Sequence, residues 1–442
     1  MTFTKGEDHD PGLLRAARDL VADLPARAIV ERVEKLTSDN ERWRGRECLN
    51  LIAAEAPSSP GVRALLASEL GTRASGGHIG PATRCFAGMR IIDEIEALCV
   101  ELLKQLFHAQ HADHRLMGGM AGCAVAYAAL LSPGDVMMSL SPSAGGDSSG
   151  RSDGPAGVHG PRIVDIPIEP GSYRVDLDAF ADLARRHHPR LIALNQTVAL
   201  FPLPVPEMRR MVAEWGGRVY FDAAHQAGLI AGGCFPNPLD DGADVVTGSG
   251  GKTFSGPQSG MIVWNDPGLS QPITHTIFPV LTGSHQINRV AALAVAAAEM
   301  REFGGAYMRQ TVANARELAA CLAQRGFTVL GGHDGYTRTH QIMVDVRPWG
   351  TGLEVARRLE QANIIVNKML LPSDPDTPDA EPAGIRLGST EITRLGMREP
   401  EMVHVADLLH RVLIKNEAPE AVRHGAEALR SGFQKLHFCF EP

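Results

Sequence analysis

Asp244-Val-Val-Thr-Gly-Ser-Gly-Gly-Lys252-Thr-Phe-Ser-Gly-Pro-Gln-Ser-Gly260 is an apolar strand end that runs into small residues, a lysine and more glycine. Upstream, Gly217-Arg-Val-Tyr-Phe-Asp222-Ala-Ala-His225-Gln-Ala-Gly-Leu229 is a second strand with its exit. Two buried strands that end in Asp/His and in Ser/Gly/Lys place polar groups at the carboxyl ends of a parallel sheet. Open α/β folds keep their ligands there.

Working outward, strands over 135–140, 162–168, 191–195 and 218–222 alternate with helices over 123–131, 177–187 and 205–215. This βαβ rhythm predicts a parallel, helix-covered sheet with right-handed crossovers. Residues 141–160 are so rich in Ser, Gly and Asp that they read as loop. Toward the N-terminus, 12–46 and 60–70 read as helices, 91–107 as a strongly amphipathic one, and 71–88 as a glycine-rich loop carrying Arg73, Ser75, His78, Arg84 and Phe86. Beyond Gly304 a helix over 306–325 leads to strands over 327–330, 340–346, 364–367 and 384–388 and helices over 352–362 and 400–415, closed by an irregular tail. The expected division is an N-terminal helical arm (1–60), a large domain (61–303) and a smaller C-terminal α/β domain with tail (304–442).

Composition bounds the function. The chain has 442 residues, a net charge of −8 and 17 histidines, so no basic footprint for nucleic acid is present. No apolar run approaches the ~20 residues needed to span a bilayer. The polar, acidic opening is unlike a signal or transit peptide, and seven scattered cysteines without CxxC suit a reducing cytoplasm.

Taken alone, Lys252 also fits a solvated strand exit, and Asp222 a helix cap. The lysine inventory argues otherwise: Lys5, Lys35, Lys104, Lys252, Lys368, Lys415 and Lys435 are the full set, and arginine does most of the cationic work. A desolvated lysine amine forms a Schiff base with a carbonyl. A carboxylate upstream is what the ring nitrogen of pyridoxal 5'-phosphate (PLP) needs to stay protonated and draw electrons. Gly118-Gly-Met-Ala-Gly122, before a helix, fits a phosphate cradle and equally an ordinary glycine turn. Arg386, in Ala383-Gly-Ile-Arg386-Leu-Gly, sits in an apolar strand; its guanidinium must meet a carboxylate of protein or substrate. His108, His111 and His114 recur every three residues near an expected helix end, with no acidic partner in view, so no metal is expected.

Together these stretches resemble the serine hydroxymethyltransferase family, PLP enzymes of the aspartate-aminotransferase fold, from about residue 51 to about residue 396. The matching segments are Leu51-Ile-Ala-Ala-Glu55, Leu131-Ser-Pro-Gly-Asp135, Asp222-Ala-Ala-His225-Gln-Ala-Gly-Leu-Ile-Ala-Gly-Gly, Phe235-Pro-Asn-Pro, Gly251-Lys252-Thr-Phe-Ser-Gly-Pro-Gln-Ser-Gly, and Gly384-Ile-Arg386-Leu-Gly-Ser-Thr-Glu-Ile-Thr-Arg. The resemblance implies fold type I of the PLP-dependent transferases: a large, mixed, mostly parallel sheet of the seven-stranded type, with a smaller C-terminal α/β domain. It implies that Lys252 carries the cofactor, Asp222 holds the pyridine nitrogen, His225 lies near the ring and Thr197 near the phenolic oxygen. Met117, Gly118, Gly119 and Ser249 fall at the phosphate, and Arg386 grips the substrate carboxylate. Glu55, Arg73 and Ser75 fall at substrate-facing positions, and the 71–88 loop would reach across a homodimer.

The departures from the family sort by function. Its Tyr-Ala-Glu-Gly, whose glutamate serves proton transfer, reads Arg73-Ala-Ser75-Gly; the paired tyrosines read Cys85-Phe86; a folate-contacting asparagine reads Met369. The histidine stacked on the ring corresponds to Asp147, the phosphate serines to Met117 and Gly119, the histidine before the lysine to Gly251, and the later diglycine to Gly283-Ser284. Activation at Cα survives these losses, which fall on the one-carbon half of the reaction. The chain therefore looks similar to the threonine transaldolase side branch, which takes an aldehyde in place of folate. Three readings follow: transfer of a glycyl unit from threonine or serine to an aldehyde, folate-dependent exchange of serine and glycine, and an inactive scaffold subunit.

Overall fold

The computed structural model describes residues 10–377 and 380–440; residues 1–9 of the expected arm and 441–442 of the tail lie outside the described residues. The large sheet has seven strands in the order His111–Leu116, Gly260–Trp264, Val245–Ser249, Arg218–Asp222, Leu191–Asn195, Val136–Ser139, Arg162–Asp165. The last five pair in parallel, with Asp222 opposite both Asn195 and Thr247. Gly260–Trp264 is antiparallel to both its neighbours, so it alone runs against the sheet.

The central strands are buried along nearly their whole length, which is why they read as continuous apolar runs. Their side chains divide by the two-residue period of a strand. Phe221, Val246 and Val263 join one core with Leu103, Phe180 and Leu293, while Tyr220, Val245 and Ile262 join another with Val125 and Tyr127. Helix-bearing layers thus cover both faces.

Two strands escaped the sequence reading. Gly260–Trp264 is the return of a hairpin whose connection, residues 250–259, is pinched at its base: Gly250 donates to the Ser259 carbonyl at 2.9 Å, and a Cβ on Gly250 would lie 2.4 Å from Ser259 Oγ. The whole turn therefore reads as loop. His111–Leu116, which the histidine spacing placed near a helix end, is an edge strand; the helix Arg90–Leu106 has already ended.

Past the large sheet, Asn367–Met369, Gly384–Gly388, Gln341–Asp345 and Thr328–Val329 form an antiparallel sheet in that order over a separate core that includes Leu318, Val344, Leu359, Leu387 and Leu409. Leu49–Asn50 adds a short parallel pairing with Ile364–Ile365, which ties the arm to this side of the molecule. One helix, Ile287–Gln324, spans both cores. It does not start after Gly304 as expected, because that glycine sits against Gly232, where a Cβ would fall 2.6 Å from the Gly304 carbonyl oxygen. The glycine serves a close crossing of chains and leaves the helix unbroken. The tail is less irregular than expected: Pro419–Ser431 is a helix that buries Val422, Ala426 and Arg430.

Candidate active site

Polar residues end four adjacent parallel strands: Ser139, Asn195, Asp222 and Ser249. The Lys252 turn is stapled above them. Thr253 Oγ1 donates to the His225 carbonyl at 2.9 Å and accepts from the Gly228 amide at 3.0 Å, which fixes the lysine loop on the exit of the Asp222 strand. Lys252 thereby comes within electrostatic reach of Asp222, Arg386 and Asp147.

Burial sets the charge states here. It pushes the Lys252 ammonium below its ordinary range, partly offset by Asp222, and it raises the Asp222 carboxyl, partly offset by Lys252. Asp222 is 6% exposed, yet among the described residues no cation lies within 4.0 Å of it. Its oxygens meet neutral donors: the Ala224 amide at 2.9 Å, the Cys123 thiol at 3.4 Å and the Thr247 hydroxyl at 3.4 Å. Tyr220 closes a ring behind it, 3.2 Å from Cys123 Sγ and 2.7 Å from Thr247 Oγ1.

His225 is buried and stacked on His340, with ring centroids 5.7 Å apart. Its Nε2 is 3.3 Å from Arg386 Nη1, so this nitrogen accepts and the proton belongs on Nδ1, which has no partner. Burial and the surrounding cations hold His225 far below its ordinary range, and burial brings His340 down to about 3. Arg386, 5% exposed, donates to the Thr197 carbonyl and to Asn367 Oδ1 at 3.3 Å. Among the described residues it has no carboxylate within 4.0 Å, so the internal salt bridge weighed from sequence does not form. Burial lowers its pKa to about 10. Asp147 accepts from Thr197 Oγ1 at 3.2 Å and from the Ser149 amide at 2.9 Å.

The helix Gly119–Leu130 opens beside these strand ends: a Cβ on Gly119 would lie 3.6 Å from Ala224 Cβ and 3.8 Å from Ser249 Cβ. Gly118, its N-cap, supplies no side-chain cap and has open space around it, while Met117 is exposed. A buried, cation-free carboxylate, a desolvated lysine and an uncapped helix start together fit PLP: a protonated ring nitrogen, a carbonyl and a phosphate.

The other sequence candidates find partners elsewhere. Glu55 accepts from Arg44 and Asn50, both at 2.8 Å. Exposed Arg73 pairs with Glu69. Buried Ser75 donates to the His285 carbonyl at 2.6 Å, and its amide donates to Ser284 Oγ at 3.1 Å. Of the histidine triplet, His108 pairs with Asp240, His111 stacks on Trp264 and His114 turns inward.

A family model described as serine hydroxymethyltransferase matches residues 30–409. The chain is 41% identical over 413 residues to a serine hydroxymethyltransferase of Methanopyrus kandleri, covering 93% of this chain and 95% of that one. The chain belongs to the serine hydroxymethyltransferase family. A serine hydroxymethyltransferase of Aeropyrum pernix is 39% identical, covering 94% of each chain. Among solved structures, an L-threonine transaldolase from Pseudomonas fluorescens, in its internal aldimine state, superposes with a TM-score of 0.85 at 27% identity over 96% of both chains. This member of the serine hydroxymethyltransferase family is a PLP-dependent fold type I enzyme of the aldol-type transferase class. The inactive-scaffold reading falls away.

Proposed function

We propose that this enzyme transfers a glycyl unit from L-threonine or L-serine to an aldehyde, forming a new β-hydroxy-α-amino acid. The observation that carries the reading is Ser75, which stands where the family has its proton-transfer glutamate and whose hydroxyl is spent on the His285 carbonyl. It offers no carboxylate to the leaving hydroxymethyl oxygen, and general acid–base help there is worth roughly 10²–10⁴ in rate. Met369 in place of the folate asparagine points the same way, as does the likeness to a threonine transaldolase. The 41% identical relative named serine hydroxymethyltransferase favours the second reading, folate-dependent exchange of serine and glycine.

In this reading Lys252, kept toward its neutral form by burial, binds the cofactor, and Asp222 faces its ring nitrogen. The bound cofactor supplies an electron sink for the pair left when a bond at Cα breaks. Gly118, Gly119, Met117 and Ser249 would hold the phosphate at the uncapped start of the helix Gly119–Leu130. Arg386 orients the substrate carboxylate, satisfying a guanidinium that has no protein carboxylate of its own. His225, with its Nδ1 unpartnered, would hold a proton there for the bound cofactor or substrate, and Thr197, tied to Asp147, would hold the cofactor's phenolic oxygen. The Cα–Cβ bond of the donor breaks, its β-hydroxyl loses a proton and an aldehyde leaves. A new Cα–Cβ bond then forms to the acceptor carbonyl carbon, whose oxygen takes a proton.

Exposed Arg73, on the 71–88 loop, would serve a second subunit, while Ser75 is held within its own chain. The helices Pro11–Asp23 and Ala26–Arg42 bury no residue within the chain, and Leu13, Val21 and Val33 are exposed, which supports a homodimer.

The test mixes PLP-loaded enzyme, threonine and an aromatic aldehyde without folate, and follows products by chromatography. A new β-hydroxy-α-amino acid is expected. No such product with any acceptor, alongside tetrahydrofolate-dependent glycine formation from serine, would establish the second reading instead.

A further inference from the structure

Glu96, His114 and His285 come from three separate elements: the helix Arg90–Leu106, the edge strand His111–Leu116 and the turn before Ile287–Gln324. They are 0%, 4% and 5% exposed, and their ligand atoms all lie within 4.8 Å of one another. His285 Nε2 contacts Glu96 Oε1, and His114 Nε2 stands 3.6 Å from that same oxygen. The two imidazoles meet edge to face with centroids 5.7 Å apart. Arg84 takes the other oxygen of Glu96 through Nη2, and its Nε donates to Asp93 at 2.7 Å. Neither ring nitrogen of His114 has a hydrogen-bond partner. Buried polar atoms are ordinarily paired, so an imidazole with both nitrogens orphaned, facing a carboxylate and a second imidazole, calls for a ligand.

We propose that Glu96, His114 and His285 form a divalent transition-metal site of the zinc type. Two imidazoles and a carboxylate are a zinc ligand set, with a fourth position left for water. Ligand bonds of about 2.0 Å in a tetrahedron set the donor atoms roughly 3.3 Å apart. The present spacing thus needs only side-chain adjustment to close around an ion. Arg84, on the outer oxygen, orients the carboxylate in the manner of the hydrogen-bonded outer shell that metal-bound carboxylates carry. Charge agrees with this: Glu96 and Asp93 are negative and Arg84 is positive, leaving a net negative charge for a divalent cation between neutral imidazoles.

The ion would clamp the turn carrying Ser284 and His285 to the helix Arg90–Leu106. Because Ser75 is held by Ser284 Oγ and the His285 carbonyl, the clamp would also fix the floor of the 71–88 loop. The role is structural and does not depend on the reaction proposed above. Sequence alone hid the set, since Glu96 and His285 are 189 residues apart.

The test uses PLP-loaded enzyme produced in zinc-supplemented medium, dialysed against metal-free buffer and analysed by inductively coupled plasma mass spectrometry. Close to one zinc per chain is expected. His114→Gln and His285→Gln should each hold less than a tenth of that, with unchanged far-ultraviolet circular dichroism. A wild-type chain with no metal above the buffer blank, or a His114→Gln chain with full metal, would overturn the site. Should the variants fail to fold, cobalt-grown wild-type enzyme decides. The intense visible d–d bands of four-coordinate cobalt are expected; absence of cobalt, or only the weak bands of six-coordinate cobalt, contradicts the proposal.

Discussion

The strand ends and the 71–88 loop are built on opposite plans. At the strand ends, buried charges are left without charged protein partners: Asp222 meets only neutral donors, and Arg386 meets a carbonyl oxygen, an amide oxygen and the neutral His225 ring. In the loop the buried guanidinium of Arg84 is paired inside the chain with Asp93 and Glu96, and the buried Ser75 hydroxyl is taken by the His285 carbonyl. Unpaired buried charge is expensive, so a region that keeps it is waiting for ligands, and a region that cancels it is serving as framework. In the proposed reading, the contrast lets a family enzyme keep its chemistry at Cα while the position of the family's proton-transfer glutamate holds a structural serine.

The contrast breaks most sharply at Arg386. If Arg386 holds the substrate carboxylate as proposed, Arg386→Leu costs about 2–5 kcal/mol. kcat/KM for threonine should then fall roughly 30- to 5,000-fold while PLP content, read from the visible absorbance, stays at the wild-type level. Unchanged kcat/KM would place the substrate carboxylate elsewhere.

Just beyond the Arg386 strand, Glu391 is buried and accepts from Asn50 at 2.5 Å, and burial raises its pKa from 4.5 to about 7. A raised folded-state pKa means that the folded protein binds more protons between pH 4.5 and 7, so this contribution is complete below pH 4.5 and is lost as pH rises through about 7. The difference amounts to about 3 kcal/mol. Glu391→Gln should flatten the fall of Tm across that window; an unaltered pH profile would mean that Glu391 is ionised in the fold at no cost.

On the loop side, Ser75→Glu restores the family's carboxylate. It should shift the ratio of tetrahydrofolate-dependent serine cleavage to folate-free transfer toward folate by about 10²-fold, the low end of general acid–base help. The smallest effect belongs to Cys123→Ala, which deletes one neutral donor from Asp222. A net hydrogen bond of about 0.5–1.5 kcal/mol predicts PLP affinity roughly 2–10-fold weaker, measured by equilibrium dialysis.

The strand ends were the legible half of the molecule. Buried parallel strands announce themselves as apolar runs, and Asp222, His225, Lys252 and Arg386 interrupt or end such runs, so their placement follows from local pattern. The ring behind Asp222 was not legible: Cys123 lies 99 residues upstream, and Thr247 on the neighbouring strand, a register that no local spacing encodes. The same holds for His114. Its three-residue spacing from His111 suggested a helix end, whereas it lies on an edge strand facing Glu96 from a helix already passed. Hairpin returns such as Gly260–Trp264 hide because the turn that makes them is as glycine-rich as a loop.

The central claim is that Lys252 holds PLP beside Asp222 at the strand ends. Borohydride reduction of the PLP-loaded enzyme, followed by proteolysis and mass spectrometry, tests it directly. A pyridoxyl group on the peptide containing residue 252, absent when Lys252 is replaced by Ala, is the predicted result. Label on any other lysine, or none at all from a protein that still turns over threonine, would contradict it.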